Sequence, residues 1–198
     1  MGVAMNPATN TAEVRPRGRG RGRLQLILLL AVVIGPMVLA SAMYYGRFWV
    51  PEGRSYHGSL IGNGQSRADL GVQVGTETRW QLLVTAPAGC AADCRELVYL
   101  ARQIQIGLGR EASRATHALA AAEPLAADYQ AVLQRDYPQL QRYPLNRQQY
   151  DQASEGATGP HLWIVDPHGN LVLRYDNQVK GKAVLNDLRL LLKLSNIG

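Results

Sequence analysis

The residues with the most reactive side chains are Cys90 and Cys94, which lie four positions apart and are the only cysteines in the chain. A thiolate is both a nucleophile and a soft ligand, so two thiols within reach of one another support disulfide exchange or the binding of a soft ion such as Cu(I). Positions four apart share one face of a helix, about a turn from each other, which lets both sulfurs converge on one point. The positive end of a helix favours the ionised form of a thiol placed there. The same spacing can close to a disulfide, structural or redox-active, though less comfortably than the two-residue spacing of dedicated oxidoreductases, so it tilts the reading towards a metal. Closing so short a loop removes little entropy from the unfolded chain, which counts against a purely structural disulfide.

A strand, a loop and a helix must deliver the pair. Trp80–Ala86 is apolar through its centre, as in a strand buried on both faces, and Pro87 and Gly89 break it just before Cys90. From Cys94 onward, Leu97, Leu100, Ala101, Ile104 and Leu108 recur at helical spacing, and Gly107 and Gly109 close the run. Asp93, between the thiols, suits the first turn of that helix. Upstream, Leu70–Val74 reads as a first short strand, with the globular part beginning near Ala68. Downstream, Ser113–Ala120 has weak strand character, Glu123 and Pro124 open a helix running to about Arg135, and Asn146 caps a short helix through Tyr150.

His161–Val165 and Leu171–Tyr175 flank the turn from Asp166 to Gly169 and read as a hairpin. The last helix, Lys182–Leu194, carries Val184, Leu185, Leu188, Leu191 and Leu192 on its apolar face. The order of elements predicts an α/β fold in which parallel pairing is followed by an antiparallel hairpin.

The net charge of +6 is mostly local: Arg15, Arg17, Arg19, Arg21 and Arg23 against Glu13 account for +4 of it. These arginines abut an uncharged apolar run, Leu24–Tyr45, long enough to cross a bilayer core of roughly 30 Å at about 1.5 Å per residue. A basic cluster beside an apolar span reads as a topogenic signal and not as a nucleic-acid surface. The expected organisation is a disordered basic cytoplasmic arm over residues 1–23, a transmembrane anchor over 24–45, a juxtamembrane linker over 46–67 and a globular domain over 68–198. The positive-inside rule leaves the N-terminus in the cytoplasm of an inner-membrane protein and sends the domain to the periplasmic side. Tyr44, Tyr45, Phe48 and Trp49 form an aromatic belt at the interface. Cleavage after Ala40-Ser41-Ala42 is the competing reading, but the apolar run exceeds a usual signal-peptide core.

Of the histidines, His57 falls in the linker, His117 on the weak strand and His168 in the hairpin turn, and Trp80 and Trp163 read as core residues. No phosphate loop, nucleotide fingerprint or HExxH zinc motif is present.

The run Trp80–Leu97, followed by Pro160, His161 and the Asp166-Pro-His-Gly169 turn, resembles the thioredoxin-like fold: a central mixed sheet with flanking helices, here preceded by one transmembrane helix. The C-x-x-x-C spacing and the D-P-x-G turn are similar to the Sco/SenC family of membrane-anchored copper proteins of cytochrome c oxidase assembly. The resemblance implies a cis-proline at Pro160 packed against the cysteines, with Asp166 as a second structural residue near the site. It also implies Cu(I) held by Cys90 and Cys94, and a copper-containing oxidase subunit, or another copper or thiol protein, as partner beside the lipid bilayer. Where the family carries a histidine ligand, this chain has Thr158, and His161 is the nearest histidine to serve as third ligand. A thiol-disulfide oxidoreductase that keeps client cysteines reduced, with Cys90 and Cys94 as catalytic residues, and a non-catalytic scaffold are the alternatives.

Overall fold

The computed structural model describes residues 19–46, 56–73, 77–154, 156 and 158–195, and the chain divides into two units, Met1–Gly53 and Arg54–Gly198. The first contains one helix, α1 (Arg19–Gly46), with an apolar span Gly22–Met43 of mean hydropathy 2.6. Its side chains from Gly22 to Ala42 are exposed, and in a bilayer that surface faces lipid. Pro36 lies inside it, as membrane helices tolerate. The helix takes in Arg19, Arg21 and Arg23, which the sequence assigns to an unstructured arm. Arginine is a good helix former, and a helix already nucleated by the apolar run extends at little cost. Arg15, Arg17, Phe48 and Trp49 lie outside the described residues.

The second unit is built on one six-stranded sheet, in the order β1 (Ser59–Leu60), β6 (Leu171–Tyr175), β5 (His161–Val165), β2 (Trp80–Ala86), β3 (Ala115–Ala121) and β4 (Gln141–Pro144). β2, β3 and β4 run parallel, and β5, β6 and β1 add on antiparallel to their neighbours. Helices α2 (Ala92–Gly107), α3 (Ala127–Asp136) and α5 (Gly181–Leu194) cover one face, packing Leu97, Val98, Leu133, Val184 and Leu188 on Leu82, Val84, Leu162 and Ile164. The other face carries α4 (Arg147–Ala153) and the Leu70–Val72 turn, which pack on Leu83, Ala118, Trp163 and Val165.

Four local expectations differ from the structure. Leu70 and Val72 are buried, but in a turn closed by Gly71 N–H donating to Ala68 O (2.9 Å). Val72 makes a single bridge to Leu145, so these residues cap the second core and form no strand, and Val74 lies outside the described residues. The expected linker supplies β1, whose register is Ser59 with Arg174 and Leu60 with Leu173, so the folded unit begins before Ala68. β4 was not expected among Pro138, Tyr143 and Pro144; as an edge strand it accepts a proline at its end, where no ladder N–H is required. α3 starts at Ala127 and not at Pro124.

One buried carboxylate ties the entry segment to the domain. Asp187, 2% exposed, accepts from the backbone N–H groups of His57 (2.8 Å) and Gly58 (3.2 Å) and from the Tyr175 hydroxyl (2.8 Å), and its Oδ1 pairs with His57 Nδ1 at 2.8 Å. Burial, reinforced by Asp187, raises the Tyr175 phenol far above its ordinary value. A Cβ at Gly58 would stand 2.6 Å from the Tyr175 ring, so only glycine lets the backbone reach the carboxylate.

Two predictions follow from burial. Gly58→Ala destabilises the domain by about 1–3 kcal/mol through overpacking, read as a lower midpoint in urea with unchanged slope. His117 is 3% exposed, and burial, with Arg102 nearby, lowers its imidazole to about 4 from 6.5. The unfolded chain therefore takes up a proton that the folded chain refuses. Stability is full above pH 6.5 and falls between there and pH 4, by at most about 3 kcal/mol. His117→Phe should flatten that part of the urea-midpoint profile.

Candidate functional site

The thiols sit where β2 releases the chain. All seven residues of β2 are buried, with β3 paired along one side and β5 along the other. After Ala86 the chain leaves the sheet through Pro87 and Gly89, the latter at φ +76°, a conformation that favours glycine. α2 begins at Ala92, capped by extended Ala91 with no side-chain cap. Cys90 thus precedes the helix and Cys94 lies in its first turn, so the pair spans the helix boundary and does not share a helical face as the spacing alone suggests. The turn brings the two Cα atoms to 5.0 Å, and the sulfurs form a disulfide.

The two cysteines are not equivalent. Cys94 is 1% exposed and belongs to the core with Leu97 and Val84, whereas Cys90 is half-buried at the edge of that core. Arg95 braces the loop: its Nε donates to Cys90 O (3.4 Å), its guanidinium lies 4.4 Å from the centre of the Tyr129 ring, and it pairs with Asp128 at 3.6 Å. Burial pushes the Tyr129 phenol up to about 12, with the Arg95 charge acting in the opposite direction. Asp93 accepts from Asn177 Nδ2 (2.8 Å), which fastens the first turn of α2 to the loop after β6. Glu123, just beyond β3, reaches across so that its Oε2 lies 3.2 Å from where a Cβ on Gly89 would be.

The other site residues expected from the sequence are placed differently. His161 pairs with Thr85 in the β2–β5 register and shares its face with Trp163, 6.2 Å away between ring centres. Alternation along β5 sends Leu162 and Ile164 to the face of Cys94 and α2, and His161 to the opposite one. There Trp163 Nε1 donates to Thr85 Oγ1 (2.9 Å), Thr85 Oγ1 bonds Tyr150 OH (3.2 Å), and His161 Nδ1 meets Tyr150 OH (3.3 Å) and Gly159 O (3.1 Å). Burial, with Arg174 also nearby, lowers the His161 imidazole below its ordinary value. The structure does not bring His161 together with the thiols, and among the described residues no three His, Cys, Asp or Glu side chains are grouped to hold a metal ion.

Pro160 lies at the cysteine end of the sheet, but no described peptide bond is cis, in contrast to the cis-proline that the resemblance implies. Asp166 stands just past the far end of β5, where Val165 pairs with Gln81 near the start of β2, roughly 17 Å along the strand direction from His161. Its carboxylate accepts from the N–H groups of His168 (2.9 Å) and Asn170 (2.8 Å) and closes the hairpin, so its role is in the turn and not beside the cysteines. The sequence marks Glu123 only as a helix start and does not mark Arg95 as a residue of the site. The signal for Glu123 is that parallel strands end on the same edge, so the residue following β3 faces the loop following β2.

On reduction, Cys90 should react with iodoacetamide at least about tenfold faster than Cys94, measured by peptide mass spectrometry, because access limits the buried thiol.

The family described as the transmembrane-like, thioredoxin-like C-terminal domain matches residues 80–195, and its transmembrane-like N-terminal domain matches residues 16–47. No curated protein matches the chain. Among solved structures it is similar to copper-bound ScoI of Arabidopsis thaliana (7% identity, 61% of this chain and 88% of that one, TM-score 0.48). It is also similar to apo Sco1 of Thermus thermophilus (15%, 71% and 99%, 0.47). A third is the thioredoxin domain of a thiol-disulfide oxidoreductase of Bacteroides vulgatus (18%, 59% and 81%, 0.43). With its apolar helix and its mixed sheet in place, the chain belongs to the transmembrane-like, thioredoxin-like family and is a single-pass, membrane-anchored thioredoxin-fold protein.

Proposed function

We propose that this protein is a membrane-tethered thiol-disulfide exchange protein that keeps the cysteines of a client reduced for metallation, in the assembly of a copper-containing terminal oxidase. The observation that carries the reading is the unequal burial of two bonded sulfurs: a half-buried Cys90 at the rim and a 1% exposed Cys94 behind it. The Cys90 thiolate attacks a client disulfide, forming a mixed disulfide and releasing one client thiolate, which takes a proton. Cys94, as thiolate, then attacks Cys90 Sγ and expels the second client thiolate, leaving the Cys90–Cys94 disulfide. Two electrons pass to the client, and a dithiol donor restores the pair. The N-terminal arginines orient the anchor with the domain on the periplasmic side of the inner membrane, where disulfides form and such a service is required.

A second reading, Cu(I) held between the same sulfurs as cargo, is favoured by the closeness of the Cα atoms, 5.0 Å apart, which lets two reduced thiolates converge on one soft ion. Thiolate donors fit that ion. His161 is occupied on the other face, so a third donor comes from the client or from solvent in this reading.

The test uses the reduced full chain in detergent with oxidised glutathione. Cys94→Ser should stop at a glutathione adduct on Cys90, and Cys90→Ser should form none; reaction at neither cysteine in the parent protein overturns the exchange reading. Anaerobic Cu(I) titration of parent, Cys90→Ser and Cys94→Ser separates the second reading: loss of binding in both variants supports it, and equal, weak binding in all three removes it.

A further inference from the structure

The charges around the cysteine loop are one-sided. Glu123 places its Oε2 3.2 Å from where a Cβ on Gly89, the residue before Cys90, would stand, and its ion-pair partner, Arg147, is 3.9 Å away and shared with Asp151 at 3.7 Å. Arg95, the cation nearest the loop, is drawn to Asp128, and Asp93 lies in the first turn between the thiols. Asp93, Glu123, Asp128 and Asp151 against Arg95 and Arg147 leave a net charge of −2 on these contacts. Gly89 has no side chain to stand between Glu123 and a molecule approaching Cys90. A Cβ there would meet the carboxylate at 3.2 Å, and the positive φ already disfavours any other residue.

We infer that Glu123 is a specificity-determining residue of the thiol pair, which selects disulfides carried on cationic groups, such as a client cysteine flanked by lysine or arginine. The inference rests on the exchange reading above. Glu123 acts on the approach of the client and not on the sulfur chemistry: a fixed negative charge beside the point of attack raises the local concentration of a cationic partner and lowers that of an anionic one, and salt screens both effects. It is an exposed side chain on the loop after β3 and holds no part of the core, so replacing it leaves the fold in place.

Three small disulfides of different charge provide the test: dicationic cystamine, neutral 2-hydroxyethyl disulfide and anionic oxidised glutathione. Each reacts at neutral pH and low salt with the reduced full chain in detergent, and the rates are divided by those of a free model thiol to remove intrinsic reactivity. The expected order is cystamine, then the neutral reagent, then glutathione disulfide, with about a threefold step between the first and the last or more. Glu123→Gln narrows the spread, Glu123→Lys narrows it further or reverses it, and about 0.5 M salt collapses it in the parent. Equal normalised rates in the parent, or a Glu123→Lys spread equal to that of the parent, overturn the inference while leaving exchange itself intact. If the reduced parent reacts with none of the three, it is the exchange reading that fails.

Discussion

β2 is hydrogen-bonded along both edges and buried on both faces, and the placement of every group around the disulfide depends on that double constraint. Parallel β3 matches it residue for residue from Trp80 with Ala115 to Ala86 with Ala121, and antiparallel β5 matches it from Gln81 with Val165 to Thr85 with His161. A strand held in this way cannot slip by one residue without turning its whole apolar set to the wrong face. The chain therefore leaves the sheet at one defined point, and Pro87 and Gly89 carry it directly into the turn that joins Cys90 to Cys94.

The same alternation separates two chemistries. On one face Leu82, Val84, Leu162 and Ile164 form an apolar bed for α2 and its first-turn cysteine. On the other face Thr85, Tyr150, Trp163 and His161 pair with one another in a continuous hydrogen-bonded chain. Buried polar groups are costly unless partnered, and this set largely satisfies itself. The thiols are thus left against hydrocarbon on their inner side and against charged loop residues on their outer side. A buried resolving sulfur behind a reachable one is the consequence.

Asp187 solves a different problem. A carboxylate in the middle of an apolar helix face is unfavourable unless its oxygens are fully used, and here two backbone N–H groups, an imidazole and a phenol use them. The segment that enters the domain from the anchor side is thereby made part of the sheet structure, with β1 completing the edge of β6. Near the other end of the domain Gln105 plays a smaller version of this part, donating to Ala115 O (2.7 Å) while its Oε1 meets His117 Nδ1; burial, with Arg102 nearby, keeps that imidazole neutral.

Much of this was legible in the chain itself, for reasons of pattern. β2, β5 and β6 are short apolar or alternating runs bounded by Pro, Gly or Asp, and the apolar span of α1 is long and uncharged, so burial and period alone locate them. α2 and α5 announce themselves by helical spacing, and Asn146 by its capping chemistry, realised as its side chain accepting from Gln149 N–H (3.2 Å). The cysteine pair was evident from its uniqueness and its position after a strand. β1 and β4 were not evident, because edge strands are polar, short and stabilised by a neighbour and not by their own pattern.

Nor does a linear sequence state which face of a sheet a residue occupies, or at which end of a strand a turn falls relative to a loop from another strand. Those facts arise only when β5 pairs antiparallel to β2. That pairing puts His161 across the sheet from the thiols and Asp166 at the far end of the strand, and the parallel pairing of β3 brings Glu123 to the cysteine loop. Local periodicity determined the elements and the reactive pair, and strand pairing, a long-range hydrogen-bonding choice, determined the company that pair keeps.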